Sequence, residues 1–273
     1  FMGSSQFADI PFAFFILATI VLLFLAARSP ANSAGPLILA GLSAGSAAWT
    51  KNEGLLFVPI VTGCLFLPAL VHGGRRGVLQ RTAWFLAGAL PLLMIVFTFK
   101  TRLAPINDLM AGWGVSAVFA KLLDFGRYVE IVRAFFLTGI SFTQGLVDVR
   151  RGMHLNPGAV NILLVAVYLM VTGVKRDSRD RIAFIETTGA LCLTLAGYFF
   201  VYVLTPLDLN YHLATSLNRL FLQLWPSAIF LCFMIAAAPE PASLPKDGPT
   251  NPTARSRTIP PAQGKAQKKM ELK

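Results

Sequence analysis

Charge is scarce in this chain. Asp, Glu, Lys and Arg make up 14% of its 273 residues, against about 25% in soluble domains. With 55% apolar residues, that excludes both an ordinary cytosolic domain and a disordered chain. Cysteine is scarcer still. Cys64, Cys192 and Cys232 all lie inside apolar stretches, with no CxxC spacing and no His at ligand spacing. They read as small hydrophobes, and neither a disulfide scaffold nor a metal site is expected. The soluble-enzyme signatures are missing too: there is no Walker loop, no dinucleotide glycine fingerprint, no HExxH and no GxSxG. A nucleotide-borne substrate and a bound cofactor therefore find no support.

What the chain has in abundance is long apolar runs, and its mean hydropathy is +0.63. A membrane-spanning helix needs about 20 mostly apolar residues. Seven stretches qualify or come close: Ile10–Ala27, Pro36–Thr50, Leu55–Val71, Ala83–Phe99, Pro157–Val174, Ala183–Leu204 and Leu220–Ala238. The expected fold class is all-α, a polytopic membrane bundle of about seven spans over residues 1–238. In the second stretch, Gly41, Ala44, Gly45 and Ala48 recur at a spacing that lets another helix approach closely.

The net charge of +11 is placed for a bilayer rather than for nucleic acid. Arg28, the Arg75–Arg81 region, the Lys175–Arg181 segment and the tail from Pro239 fall on one side if seven spans alternate. The positive-inside rule makes that side cytoplasmic. The tail, 239–273, combines seven Pro with seven Lys or Arg and is expected to be disordered. The chain opens on Phe1-Met2-Gly3 with no basic n-region and no cleavage site, and further sequence is expected to precede it. Between Thr101 and Asn156, apolar residues from Val118 to Phe136 recur at helical spacing around Lys121, Asp124, Arg127, Glu130 and Arg133. That pattern predicts one or two amphipathic helices along the outer interface.

Ionisable groups beside apolar spans are costly, by about 2.5–3.5 kcal/mol at a span centre, so they are informative. Asp9 precedes the first span, where it suits either an N-cap or the acidic wall of an outer cavity. Thr50-Lys51-Asn52-Glu53-Gly54 separates two spans with almost no loop; Lys51 and Glu53 can pair there, or Lys51 can meet a phosphate at the membrane surface. Asp208 to Arg219 is dense in hydrogen-bonding groups. On a helix, Tyr211, Thr215, Asn218 and Arg219 form one polar stripe. Glu186, inside the sixth span, is expected to pair with a basic residue of the Lys175–Arg181 segment.

These segments carry a resemblance. Ala8-Asp9-Ile10-Pro11-Phe12-Ala13-Phe14-Phe15 resembles the start of a mid-protein helix in bacterial GT-C class membrane glycosyltransferases, relatives of the protein O-mannosyltransferases and the lipid A aminoarabinose transferase. Gly41–Gly45 followed by Thr50–Gly54 is similar to a helix pair of that family. Tyr202–Pro206, His212–Leu220 and Leu222–Pro226 are similar to its last outer loop and final helix. The three occur in the family's order and cover most of Ala8–Ala238.

The resemblance implies an inverting transfer of sugar from a polyprenyl-phosphate donor to an acceptor hydroxyl on the outer side of the cytoplasmic membrane. It implies a base aspartate in a first outer loop, which is expected before Phe1, so no residue here is assigned the base. Where the family often has Asp in the last loop, this chain has Asn218. Lys51, His212 and Arg219 are the candidates for contacts to the lipid phosphate or sugar, and Asp9 and Glu53 for positioning them. Two other classes are a transporter or flippase, which would show paired broken helices, and a non-catalytic membrane scaffold. The polar density from His212 to Arg219 favours the transferase over the scaffold.

Overall fold

A computed structural model describes residues 8–66, 75–103, 115–141, 160–174 and 180–237. They form nine α-helices: α1 (Asp9–Arg28), α2 (Ala34–Thr50), α3 (Asn52–Cys64), α4 (Arg75–Arg102), α5 (Val115–Leu123), α6 (Phe125–Ser141), α7 (Val160–Thr172), α8 (Arg181–Leu204) and α9 (Leu209–Ile235). A 3-10 turn, Pro30–Asn32, links α1 to α2. Among the described residues there is no strand, and the fold is all-α. The tail from Pro239 and residues 175–179 lie outside the described set.

Among the described residues four helices, α1, α4, α8 and α9, are long and apolar enough to cross a membrane, and the chain is a membrane protein. Two of the seven stretches expected to span, Leu55–Val71 and Pro157–Val174, run into residues outside the described set. Their described helices, α3 and α7, have 13 residues each. α2 has 17. Two boundaries also move. α4 starts at Arg75 rather than near Ala83, and α9 starts at Leu209 rather than Leu220. In both, polar opening turns lower the hydropathy of a helix that continues through them.

α1 lies at the centre and packs against α2, α8 and α9. Its buried positions include Phe12, Ile16, Ile20 and Leu23, one face at helical spacing. α9 meets the bundle through a leucine stripe, Leu209, Leu213, Leu217, Leu220, Leu224 and Leu231. Where α2 crosses α4 the backbones nearly touch. A methyl group on Gly41 would lie 1.9 Å from the Phe85 carbonyl oxygen, and one on Gly88 would lie 1.9 Å from that of Ile38. Small residues at such crossings replace side-chain volume with close backbone packing, the main attraction left when lipid competes for every apolar surface.

Two ion pairs tie together the end where α1 finishes and α8 begins. Arg28 binds Asp180 through two hydrogen bonds, one of 2.6 Å from Nε. Those bonds hold the Asp180 carboxyl below its ordinary range, against partial burial acting the other way. Glu186, buried in α8, receives bonds of 2.6 and 2.8 Å from the two terminal nitrogens of Arg81. The expected partner was a residue of the Lys175–Arg181 segment. Arg81 wins because α4 begins early and carries it alongside α8.

The α2–α4 crossing makes a direct prediction. Gly88→Ala should destabilise the protein by about 1–3 kcal/mol, because a backbone oxygen cannot step aside as a side chain can. Gly63→Ala, where a methyl group meets nothing within 4 Å, should instead gain about 0.5–1 kcal/mol from helix propensity. Unfolding of the two variants in detergent compares them, and equal stability would contradict the backbone contact.

Candidate functional site

The opposite end of the bundle collects the chain's polar residues. Asp9 is the first residue of α1 and is fully buried. It does not cap the helix: Ala8 is the N-cap, with no side-chain capping bond. Both carboxylate oxygens are committed to other helices. Oδ1 accepts from Lys51 Nζ at 2.5 Å and from Gln223 Nε2 at 2.6 Å, and Oδ2 accepts from Arg219 Nε at 2.8 Å. A carboxylate with two cations and an amide around it is satisfied as a buried charge must be.

Each partner is placed by local structure. Lys51 is the single residue between α2 and α3, in extended conformation with φ −150° and ψ 154°. Gly54 allows that tight reversal, since a methyl group there would sit 2.3 Å from the Ala47 carbonyl carbon. Lys51 also pairs with Glu53 at 3.2 Å. Arg219 and Gln223 stand one turn apart on α9 and so share a face. The Gln223 amide is oriented in turn by Tyr198 of α8, whose hydroxyl donates to Gln223 Oε1 at 3.1 Å. At the rim, Lys100 donates to the side-chain oxygen of Asn52.

A second group adjoins the first through Tyr202, buried on α8. Its hydroxyl lies 2.6 Å from Ser216 Oγ, and its ring centre 4.8 Å from that of His212. His212 Nδ1 is 3.0 Å from Thr205 Oγ1. The Thr205 carbonyl, just past the end of α8, accepts from Lys121 Nζ at 2.8 Å and from Arg127 at 3.2 Å; Arg127 also donates to the Tyr202 carbonyl at 2.9 Å. Two cations thus meet the negative end of the α8 dipole and its unpaired carbonyls. Partial burial, and then the neighbouring Arg127, push the Lys121 ammonium down.

The structure joins Asp9, Lys51, Glu53 and Arg219 in one network, and sets His212 in the adjoining group. The Tyr211, Thr215 and Asn218 stripe turns outward; of that stripe, only Arg219 points to Asp9. Asp208 is the N-cap of α9, accepting from the Tyr211 N–H at 2.9 Å. Sequence reasoning missed Gln223, Tyr198 and Tyr202 as members. The available signal was spacing: Arg219–Gln223 and Tyr198–Tyr202 are each four apart in otherwise apolar helices. Among the described residues, no three His, Cys, Asp or Glu converge to hold a metal ion.

Chemically, Lys51 and Arg219 meet the carboxylate of Asp9, with Glu53 also on Lys51, while Lys121 and Arg127 are engaged by the carbonyls at the end of α8. Asp9 is shielded from solvent, and both its oxygens accept hydrogen bonds that orient the two cations. Arg219 spends Nε on Asp9 and remains 40% exposed, which leaves its terminal nitrogens for a ligand. Comparison with known proteins returned no matching family model, curated protein or solved structure.

The hub can be tested by a double-mutant cycle. Lys51→Met alone should cost about 3–5 kcal/mol, because it leaves a buried carboxylate short of a cation. In an Asp9→Asn background the same change should cost far less. Equal losses with and without Asp9, read by chemical denaturation, would show that the two residues act independently.

Proposed function

We propose that this chain is part of a GT-C class integral-membrane glycosyltransferase. It transfers a sugar from a polyprenyl-phosphate donor to an acceptor at the outer face of the cytoplasmic membrane. The observation that carries the reading is the convergence of the three family-like segments. Asp9, Thr50–Gly54 and His212–Leu220 are far apart in sequence, yet their charged residues meet in one bundle end. The resemblance rests on these same segments, and the part-exposed guanidinium of Arg219 suits an anionic lipid headgroup at a membrane edge.

In this reading the chain's own residues bind and orient. Arg219 offers its terminal nitrogens to the donor phosphate while Asp9 holds the guanidinium plane. Lys51 adds a point charge, held by Asp9 and Glu53. His212, set against Tyr202 and Thr205, lines the sugar side. The cations stabilise the negative charge that builds on the lipid phosphate as the glycosidic bond breaks. The base belongs to no residue described here. The end carrying Arg28, Arg81 and Asp180 is cytoplasmic, following the basic segments.

Two measurements test the reading. A long-chain polyprenyl phosphate should raise the thermal unfolding temperature of the purified chain, and the matching polyprenol, which lacks phosphate, should not. Arg219→Lys preserves the charge against Asp9 but loses the planar fork, and should weaken apparent affinity by at least about tenfold, equivalent to about 1.5–3 kcal/mol. Equal shifts with phosphate and alcohol would remove the headgroup site.

Topology is read separately, in a background without the native cysteines. A cysteine replacing Leu207 should react with a membrane-impermeant reagent added outside intact cells. One replacing Ala31 should react only after lysis. The reverse pattern would overturn the assigned orientation.

A further inference from the structure

A cleft of about 290 Å³ lies at the end of the bundle away from Asp9. Ala27 at the end of α1 and Ala34 at the start of α2 form part of its wall; Gly77, Gln80 and Trp84 of α4 and Ile182 of α8 form the rest. Its volume is at the small end for ligand pockets, which run from about 300 to 1,000 Å³. The space exists because many of the residues around it are small. A methyl group on Gly77 would meet nothing within 4 Å. Arg81 also lines the cleft, and its terminal nitrogens are held by the buried Glu186, which fixes that part of the wall.

Charge around the cleft is unbalanced. Arg28 and Arg81 each have a carboxylate partner, Asp180 and Glu186. Arg76 and Arg181, each next in sequence to a lining residue, are exposed and have no carboxylate partner among the described residues. Gln80, also exposed, adds an amide with two donors. Helix polarity acts in the same direction, because α2, α4 and α8 all begin here. Ser33, the N-cap of α2, spends its hydroxyl on the Pro30 carbonyl at 3.0 Å and makes no capping bond. Asp180, the N-cap of α8, is likewise turned to Arg28. The arginines and the positive helix ends together favour an anion in the space between them. Depth selects its kind. Trp84 is 38% exposed where the polar opening turns of α4 give way to its apolar run. That is the place of a tryptophan at a bilayer interface, the level at which lipid phosphates lie.

We propose that this cleft is a phosphate site, separate from the Asp9 end, taking the headgroup phosphate of an anionic lipid or a free phosphoester. Gln80 and the first-turn N–H groups of α2 offer hydrogen bonds to the phosphate oxygens. Arg76 and Arg181 supply the neutralising charge at the mouth. Trp84 and the alanines receive the glycerol or other organic part, for which Gly77 leaves room. Since the wall is built from α1, α2, α4 and α8, a bound phosphate ties four helices together. The inference draws on the cleft and its charges alone and is independent of the transferase reading.

The test uses the full chain in detergent, with the native cysteines replaced by Ala and Gly77→Cys as the single thiol. Ala31→Cys, on the 3-10 turn that also lines the cleft, is a second reporter. A variant is used only if its unfolding temperature matches that of the cysteine-free background. The probes are glycerol phosphate and dioctanoyl phosphatidylglycerol, with dioctanoylglycerol as the matching lipid without phosphate. A phosphate probe should slow labelling by a small maleimide several-fold at both positions. Arg76→Gln combined with Arg181→Gln should raise the probe concentration needed several-fold. Protection by the lipid but not by glycerol phosphate would assign a headgroup, and protection by both would assign a free phosphoester as well; either supports the site. No protection, equal protection by dioctanoylglycerol, or protection unmoved by the two arginine changes would overturn it.

Discussion

A single buried carboxylate organises one end of this molecule. Asp9 opens the central helix and takes hydrogen bonds from Lys51, at the α2–α3 junction, and from Arg219 and Gln223 on α9. Burial of an unpaired charge is prohibitive, so these parts of the chain are obliged to arrive together. Tyr198 then extends the constraint to α8 through Gln223. Packing alone can align apolar helices in several rotations. A charge that must be matched admits few of them, which is the specifying use of buried polar groups.

The same logic recurs at the other end with different partners. Arg81 and Glu186 join α4 to α8, and Arg28 and Asp180 join the end of α1 to the start of α8. Between the two ends the described helices of the bundle carry no charged residue, with backbone contact at Gly41 and Gly88. The fold is thus pinned electrostatically where it meets the interfaces and packed sterically across its middle. That division follows the dielectric: ion pairs near the ends are solvated in part, whereas charges at mid-depth would bear the full desolvation cost.

Much of the helical content was legible because apolar runs are long and local. α1 and α8 begin and end within two residues of the stretches read from hydropathy, and α5 and α6 follow the apolar periodicity from Val118 to Phe136. Lengths were less legible. α9 starts 11 residues before its apolar stretch, since a polar face facing a polar site lowers hydropathy without breaking the helix. The members of the site were legible as isolated polar clusters, but not their pairing. Asp9 and Gln223 are 214 residues apart, and no local pattern encodes that contact. Glu186 was matched with a nearby basic segment when its partner lay 105 residues away on α4. Sequence proximity is a poor guide wherever helix packing, rather than chain connectivity, decides what meets.

The connection between α2 and α3 is one residue long. Each residue of α-helix turns the chain by about 100°. An added or deleted residue at this junction therefore does not lengthen or shorten a loop; it rotates the whole of α3 against α2 and swings Glu53 away from Lys51. Substitution at the junction alters one side chain, but a length change rewrites the register of a helix. A length change at this junction is therefore expected to disrupt the bundle more than an exchange of residue types, and insertions for tags or linkers belong elsewhere in the chain.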